Sequence, residues 1–192
     1  MAVKNVYLFD DTNLPLKVTG IQIELLDSIT GLLIDKQLSV NRNPALGAGS
    51  TEWGADLTFT SAANPLDIYI TDKTYQYPGN TIQFLNGQTN DRIDIDLMKI
   101  PTSPLGNPPS ANSSPATIVS AIQSEKGWTV NEKRAAINLV SNYTDIIYKG
   151  TISSPELPGA LQRIVTNWDD ALRKVGIDGI KLDIQAFAVT EF

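Results

Sequence analysis

Across residues 1–100 apolar and polar positions alternate in short runs. Val6 and Leu8 stand against Tyr7 and Phe9. Ile21, Ile23 and Leu25 alternate with Gln22, Glu24 and Leu26. The pattern returns at Leu32 and Ile34, at Leu57 and Phe59, at Ile68 and Ile70, and at Ile93, Ile95 and Leu97. Period-two alternation predicts strands that are wet on one face. Turn-forming clusters separate them: Asp11-Thr-Asn13, Ser28-Ile-Thr-Gly31, Asn64-Pro65, Tyr77-Pro-Gly-Asn80 and Asn86-Gly87. Short strands spaced in this way predict a β-sandwich.

Past residue 115 the period becomes helical. Ser114-Pro115 reads as an N-cap followed by proline in the first turn, with Ile118, Ala121 and Ile122 on one face and Gly127 after the end. Thr129-x-x-Glu132 is a capping box that opens a second helix. Its stripe is Ala136, Ile137, Val140, Tyr143, Ile146 and Ile147, and Lys149-Gly150 is its expected stop. A third stripe, Leu161, Ile164, Val165, Trp168, Leu172 and Val175, ends at Gly176. From Ile180 the alternation returns and predicts a terminal strand, which must join a sheet of its own chain or of another. Between the halves lies Pro101-Thr-Ser-Pro-Leu-Gly-Asn-Pro-Pro-Ser-Ala-Asn-Ser-Ser-Pro115, too rich in proline for a regular element. The expected organisation is therefore α+β in several parts. Residues 1–100 form a seven-strand Greek-key sandwich, 101–115 a Pro-rich linker, and 116–192 a small helical bundle with a C-terminal strand.

The first half resembles the carboxypeptidase-regulatory-like, transthyretin-like (prealbumin-like) sandwich family over about residues 4–101. The resemblance rests on Phe9-Asp-Asp-Thr-Asn-Leu-Pro-Leu16, the strand Ile21–Asp27 with its Ser28–Gly31 turn, Trp53-Gly-Ala-Asp-Leu-Thr-Phe59, Leu66–Tyr75, and Ile93-Asp-Ile-Asp-Leu-Met98. It implies a non-catalytic accessory module that packs against or presents a neighbour. Members that hydrolyse a urate derivative are expected to use histidines, so no catalytic residue carries over. Adhesin repeats in the same broad group form a Lys–Asn isopeptide beside a buried acid. Lys4, Asn90 and Glu24 are the residues that such a bond would require, against a plain reading as a surface Lys, a turn Asn and a solvent-face Glu.

Composition narrows the chemistry. Among 192 residues there is no histidine and no cysteine, which removes Ser-His-Asp and Cys-His catalysis and thiolate or imidazole metal sites. The net charge is −6, of which residues 1–100 carry −5 and residues 101–192 carry −1. An acidic chain without clustered Lys and Arg argues against nucleic acid and anionic membrane as partners. Lys133-Arg134 and Arg173-Lys174 read as solvated helix faces. No apolar run reaches membrane-spanning length and the N-terminus lacks the pattern of a Sec signal, so the expected location is cytoplasmic, or exported without a cleaved signal.

Few residues are left as candidate sites. Asp10, Asp11 and Asn13 could offer oxygen ligands to calcium, although Asx turns select the same residues. Trp53, in the Gly-rich stretch 41–54, is a candidate anchor. Tyr75 and Tyr77 could stack on sugars or peptides. Asp94 and Asp96 share one strand face as a conceivable acid/base pair or as a wet edge. No cofactor is implied. The reading that follows is a non-enzymatic protein–protein interaction or assembly module, an adaptor or structural subunit that contacts a protein partner or itself, with homo-oligomerisation through the C-terminal strand as one route. A carbohydrate- or small-ligand-binding sandwich using the tyrosines is the alternative. A carboxylate-based hydrolase would need two converging acids.

Overall fold

The computed structural model describes residues 2–60, 65–78, 82–84, 92–153 and 159–181. Its strands are β1 (Ala2–Phe9), β2 (Gln22–Asp27), β3 (Leu33–Leu38), β4 (Val40–Asn41), β5 (Trp53–Phe59), β6 (Leu66–Ile70), β7 (Tyr75–Gln76), β8 (Ile82–Phe84), β9 (Arg92–Asp96) and β10 (Met98–Lys99). A 3-10 helix, Pro44–Gly49, lies between β4 and β5. Helices α1 (Pro115–Ser124), α2 (Val130–Ser153) and α3 (Gly159–Lys174) follow. The class is mixed α+β. Two four-stranded sheets, ordered β4-β5-β1-β9 and β3-β2-β6-β8, account for most strands, and β10 pairs with β7 separately. β1 runs antiparallel to β5 and parallel to β9. The described strands outnumber the seven expected because the two-residue strands β4, β7 and β10 have too few positions to show a period.

The alternation places one core between the sheets. Val6, Leu8, Leu57, Phe59 and Ile95 from the first sheet meet Ile23, Leu25, Ile68, Ile70 and Phe84 from the second. Phe59 and Phe84 touch edge to face with centroids 5.5 Å apart. Gly54 lies so close to β1 that a Cβ there would meet the Val6 carbonyl oxygen at 1.9 Å. β3 and β4 are nearly continuous but belong to different sheets. Ser39 joins them: its hydroxyl accepts from Ile21 N–H at 3.0 Å and donates to the Val18 carbonyl at 2.7 Å. A strand that switches sheets turns a corner of the sandwich.

The opposite face of the second sheet is covered by the helices. Leu26 and Ile100 join a second core with Ile118, Ile122, Leu139, Val140, Ile164, Val165, Trp168 and Leu172, and Tyr69 packs against it. The layers therefore run sheet, sheet, helices. Capping follows the sequence signals. Ser114 Oγ accepts from Thr117 N–H at 3.3 Å. Glu132 accepts from Thr129 N–H at 2.8 Å while Thr129 Oγ1 accepts from Glu132 N–H at 3.2 Å. Gly176, at φ 85°, closes α3 with its N–H on the Arg173 carbonyl and the Ile177 N–H on Leu172. The expected stop at Lys149-Gly150 does not occur. α2 continues to Ser153, since a single glycine costs a helix only about 1 kcal/mol.

Residues 101–114 form no helix or extended strand but cross the helical layer. Leu105 is buried and its N–H donates to the Val175 carbonyl at 3.0 Å. Trp128 Nε1 donates to the Ser103 carbonyl at 3.0 Å. The expected C-terminal strand lies largely outside the described residues. At its start Ile180 makes a parallel bridge with Ser113.

Candidate functional site

Of the ten large apolar side chains exposed among the described residues, seven lie between Ile29 and Leu46, along β3 and the segments that flank it; Val3, Leu14 and Val130 are exposed elsewhere. The β2–β3 turn is held by Asp27, whose carboxylate accepts from Ile29 N–H at 2.9 Å and Thr30 N–H at 2.7 Å. Gly31 takes φ 67°. This turn leaves Ile29 71% and Leu32 62% exposed. Pairing then slips: Leu25 faces Asp35 but Leu26 faces Leu33, so Ile34 is the bulged residue. The slip exposes both Leu33 and Ile34. Further along the edge Leu38 is 52% exposed, and Val40 and Leu46 are also open. Scattered apolar residues on a surface are ordinary, but a contiguous set is the usual mark of a contact site. Across from the turn, Gly159, Ala160 and Arg163 of α3 form the far wall of an open groove of about 420 Å³ floored by Gly31, Leu32 and Leu33.

The backbone of this edge is guarded. Asp35 Oδ2 accepts from the Thr58 N–H at 2.7 Å and from its hydroxyl at 3.0 Å, tying β3 to β5 across the sandwich corner. Burial opposes the charge on Asp35, but hydrogen bonds from Thr58, Lys36 and Gln37 outweigh it and hold the carboxyl below its ordinary range.

Beneath the groove lies a fully buried acid. Glu24 Oε2 accepts from Arg163 Nη2 at 2.8 Å and Oε1 accepts from Nη1. Gln22 Nε2 also donates to Oε1, and Thr71 Oγ1 approaches it at 3.4 Å. Hydrogen bonding to Glu24 raises the Arg163 pKa against the opposing effect of burial. Glu24 is thus not a solvent-face residue. It points to the helices, whereas Lys4 is buried with its Nζ 4.6 Å from the Phe84 centroid in the intersheet core. The arrangement of Lys4 beside Glu24 that an isopeptide would need is absent, and Asn90 lies outside the described residues.

The other sequence candidates do not converge. Trp53 is half-buried on β5, with its Nε1 donating to the Ser50 carbonyl at 3.1 Å. Tyr75 and Tyr77 are partly buried and pack against the intersheet core. Tyr77 also lines a small cleft between β7 and the helices. Asp10 Oδ1 is occupied by donors of its own loop: Thr12 Oγ1 at 2.6 Å, Thr12 N–H at 2.9 Å and Leu14 N–H at 3.0 Å. The Thr12 hydroxyl is the main cause holding the Asp10 pKa down. Asp11 accepts from Asn131 Nδ2, and Asn13 takes φ 62° in the turn. Among the described residues no group of three or more His, Cys, Asp or Glu is placed to hold a metal ion. Asp94 and Asp96 are exposed on the outer face of β9, where Asp94 pairs with Arg92 at 2.6 Å. Arg92 and Arg42 both approach the Tyr7 ring, at 4.1 and 4.4 Å, and Arg42 is neutralised by Asp56. No helix among the described residues is long and apolar enough to cross a membrane.

The apolar edge was hidden because Leu32 and Ile34 look like the core face of a regular strand, whereas the bulge at Ile34 and the lack of helix cover over β3 leave this edge open. The one available signal for Glu24 was Arg163, a cation within the apolar stripe of α3. No family model matches the chain, and neither a curated protein nor a solved structure matches it.

Proposed function

We propose that this chain is a non-enzymatic protein–protein interaction or assembly module that docks a protein partner, or a second copy of itself, on the edge formed by the β2–β3 turn, β3 and β4. The carrying observation is that Ile29, Leu32, Leu33, Ile34, Leu38 and Val40 are all exposed within one stretch of chain, and that Leu32 and Leu33 line the groove against α3. Isolated apolar residues would not require a partner, but six exposed ones in a stretch of chain this short offer surface that association would bury. The reading takes the sandwich as transthyretin-like, a use suited to an accessory module.

A photo-crosslinking amino acid at Ile29 tests the proposal, with the same residue at Asp94 on the opposite outer face as the control. The expected result in cells of the natural source is a discrete adduct from position 29, identified by mass spectrometry and lost in a Leu32→Lys, Leu38→Lys background. Light scattering over a range of concentrations shows whether the adduct is a second copy. Equal adducts from both positions, or none from position 29, would defeat the assignment.

A further inference from the structure

The edge at β3 carries charge as well as apolar surface. Residues directly opposite in an antiparallel pair show their side chains on the same face. Leu33, Lys36 and Leu38 of β3 stand opposite Leu26, Glu24 and Gln22 of β2, and Leu26 belongs to the helical core. The three β3 residues therefore share the face that turns toward the helices, and all three are exposed. Arg163 of α3 borders the same strip, with its side chain 35% exposed. Two cations thus flank one acid, Glu24, which is fully buried with its carboxylate on the Arg163 guanidinium. Lys36 stands opposite Glu24, yet among the described residues its ammonium takes part in no ion pair or hydrogen bond. The neighbouring acids are turned away or engaged. Asp35 reaches across to Thr58, and Asp27 accepts from the Ile29 and Thr30 N–H groups.

An open ammonium between exposed leucines is a local reversal of sign in a chain of net charge −6. A two-fold interface sets a patch against itself, which here would bring cation toward cation. A guanidinium also has more N–H donors than the two that Glu24 accepts. We propose that the partner at this edge is an acidic amphipathic segment of another protein. Its apolar side chains enter the groove between Leu32 and Ala160, and a carboxylate beside them pairs with Lys36 and accepts from the exposed side of Arg163. This rests on the docking edge proposed above and adds the chemistry of what docks there.

The probes are the peptide Gly-Leu-Leu-Glu-Leu-Gly and its two analogues with Gln or Lys in place of Glu, each titrated into the full ¹⁵N-labelled chain. The backbone amides of Lys36 and Leu38 and the Arg163 Nε–H report binding. The Glu peptide should give a saturable shift, the Gln peptide should bind about fivefold more weakly, and the Lys peptide should give no shift. Sodium chloride should narrow the gap between the Glu and Gln peptides, because the added pairing lies at an exposed rim. Lys36→Gln, an exposed change, should make those two peptides equal, and Lys36→Glu should make the Lys peptide the best of the three. Leu38→Ser should weaken the Glu and Gln peptides alike. Equal binding of the Glu and Gln peptides to the wild type, both weakened by Leu38→Ser, would overturn the charge selection and leave the docking edge standing. A preference for Glu that survives Lys36→Gln, or no saturable response to any peptide, would also overturn the proposal, while the Ile29 adduct decides separately whether the edge docks a partner at all.

Discussion

Replacing Arg163 with methionine should destabilise the chain more than replacing Arg163 and Glu24 together. Glu24 is fully buried, and the guanidinium supplies its two strongest bonds. Once Arg163 is gone, the carboxylate keeps, among the described residues, Gln22 and a weak contact from Thr71. Breaking one side of a buried pair costs about 3–5 kcal/mol because a charge is stranded, whereas replacing both partners by apolar groups is often neutral. The Arg163 side chain is 35% exposed, so water can reach part of the site and the lower end, about 3 kcal/mol, is the better figure. The double change Glu24→Leu, Arg163→Met should cost about 1 kcal/mol, giving a coupling on the order of 2–3 kcal/mol. Urea unfolding followed by far-UV circular dichroism and tryptophan fluorescence measures all three variants. In thermal unfolding the single change should lower Tm by about 6–12 °C. If the costs of Arg163→Met and Glu24→Leu simply add in the double variant, the pair is not a coupled buried unit and the account of how α3 is fixed to β2 fails.

Three further outcomes follow from the packing. Trp168→Ala removes a buried side chain shared by the helical core and the second sheet and should cost about 3–5 kcal/mol, read from the urea midpoint. Gly54→Ala forces a Cβ into the Val6 carbonyl and should cost about 3 kcal/mol, whereas an alanine at the open Gly49 should change the midpoint little. Asp35 has a folded-state pKa depressed below its ordinary 3.8. Its contribution is therefore present above that value and is lost as pH falls through the folded value. Asp35→Asn should remove that part of the acid dependence in melting curves taken between neutral and strongly acidic pH.

Legibility in the sequence tracked periodicity. The long strands, the helix caps and the α3 stripe were readable because burial there repeats at a fixed interval, as in Ile164, Val165, Trp168 and Leu172. Three things were not. Two-residue strands such as β7 carry no period. The bulge at Ile34 reverses which face its neighbours show, and no residue type announces it. Glu24 sits where alternation in a one-sided sheet assigns water. Helices cover β2 on its outer face, so Glu24 meets Arg163 of α3, 139 residues away in sequence. The tyrosines were chosen for their chemistry, yet Tyr75 and Tyr77 spend much of their surface on the intersheet core. Between them Gln76 is the more deeply buried, and its Oε1 has no partner among the described residues.

The same coverage explains why the exposed surface falls where it does. The helices shield the outward side chains of β2 and β6, namely Glu24, Leu26 and Tyr69, but stop short of β3, whose Leu38 remains open. An uncovered edge strand normally invites pairing with another chain. Here the usual protections against pairing are present: a bulge at Ile34, Lys36 beside it, and Asp35 tied across to Thr58. The backbone is guarded while the side chains are left apolar. A partner would therefore bind by inserting side chains into the groove between Leu32 and Ala160 rather than by extending the sheet. Association of that kind buries apolar area without new ladder bonds. Its heat-capacity change should be negative, and amide exchange along residues 33–38 should change less than the exposure of Leu32 and Leu38.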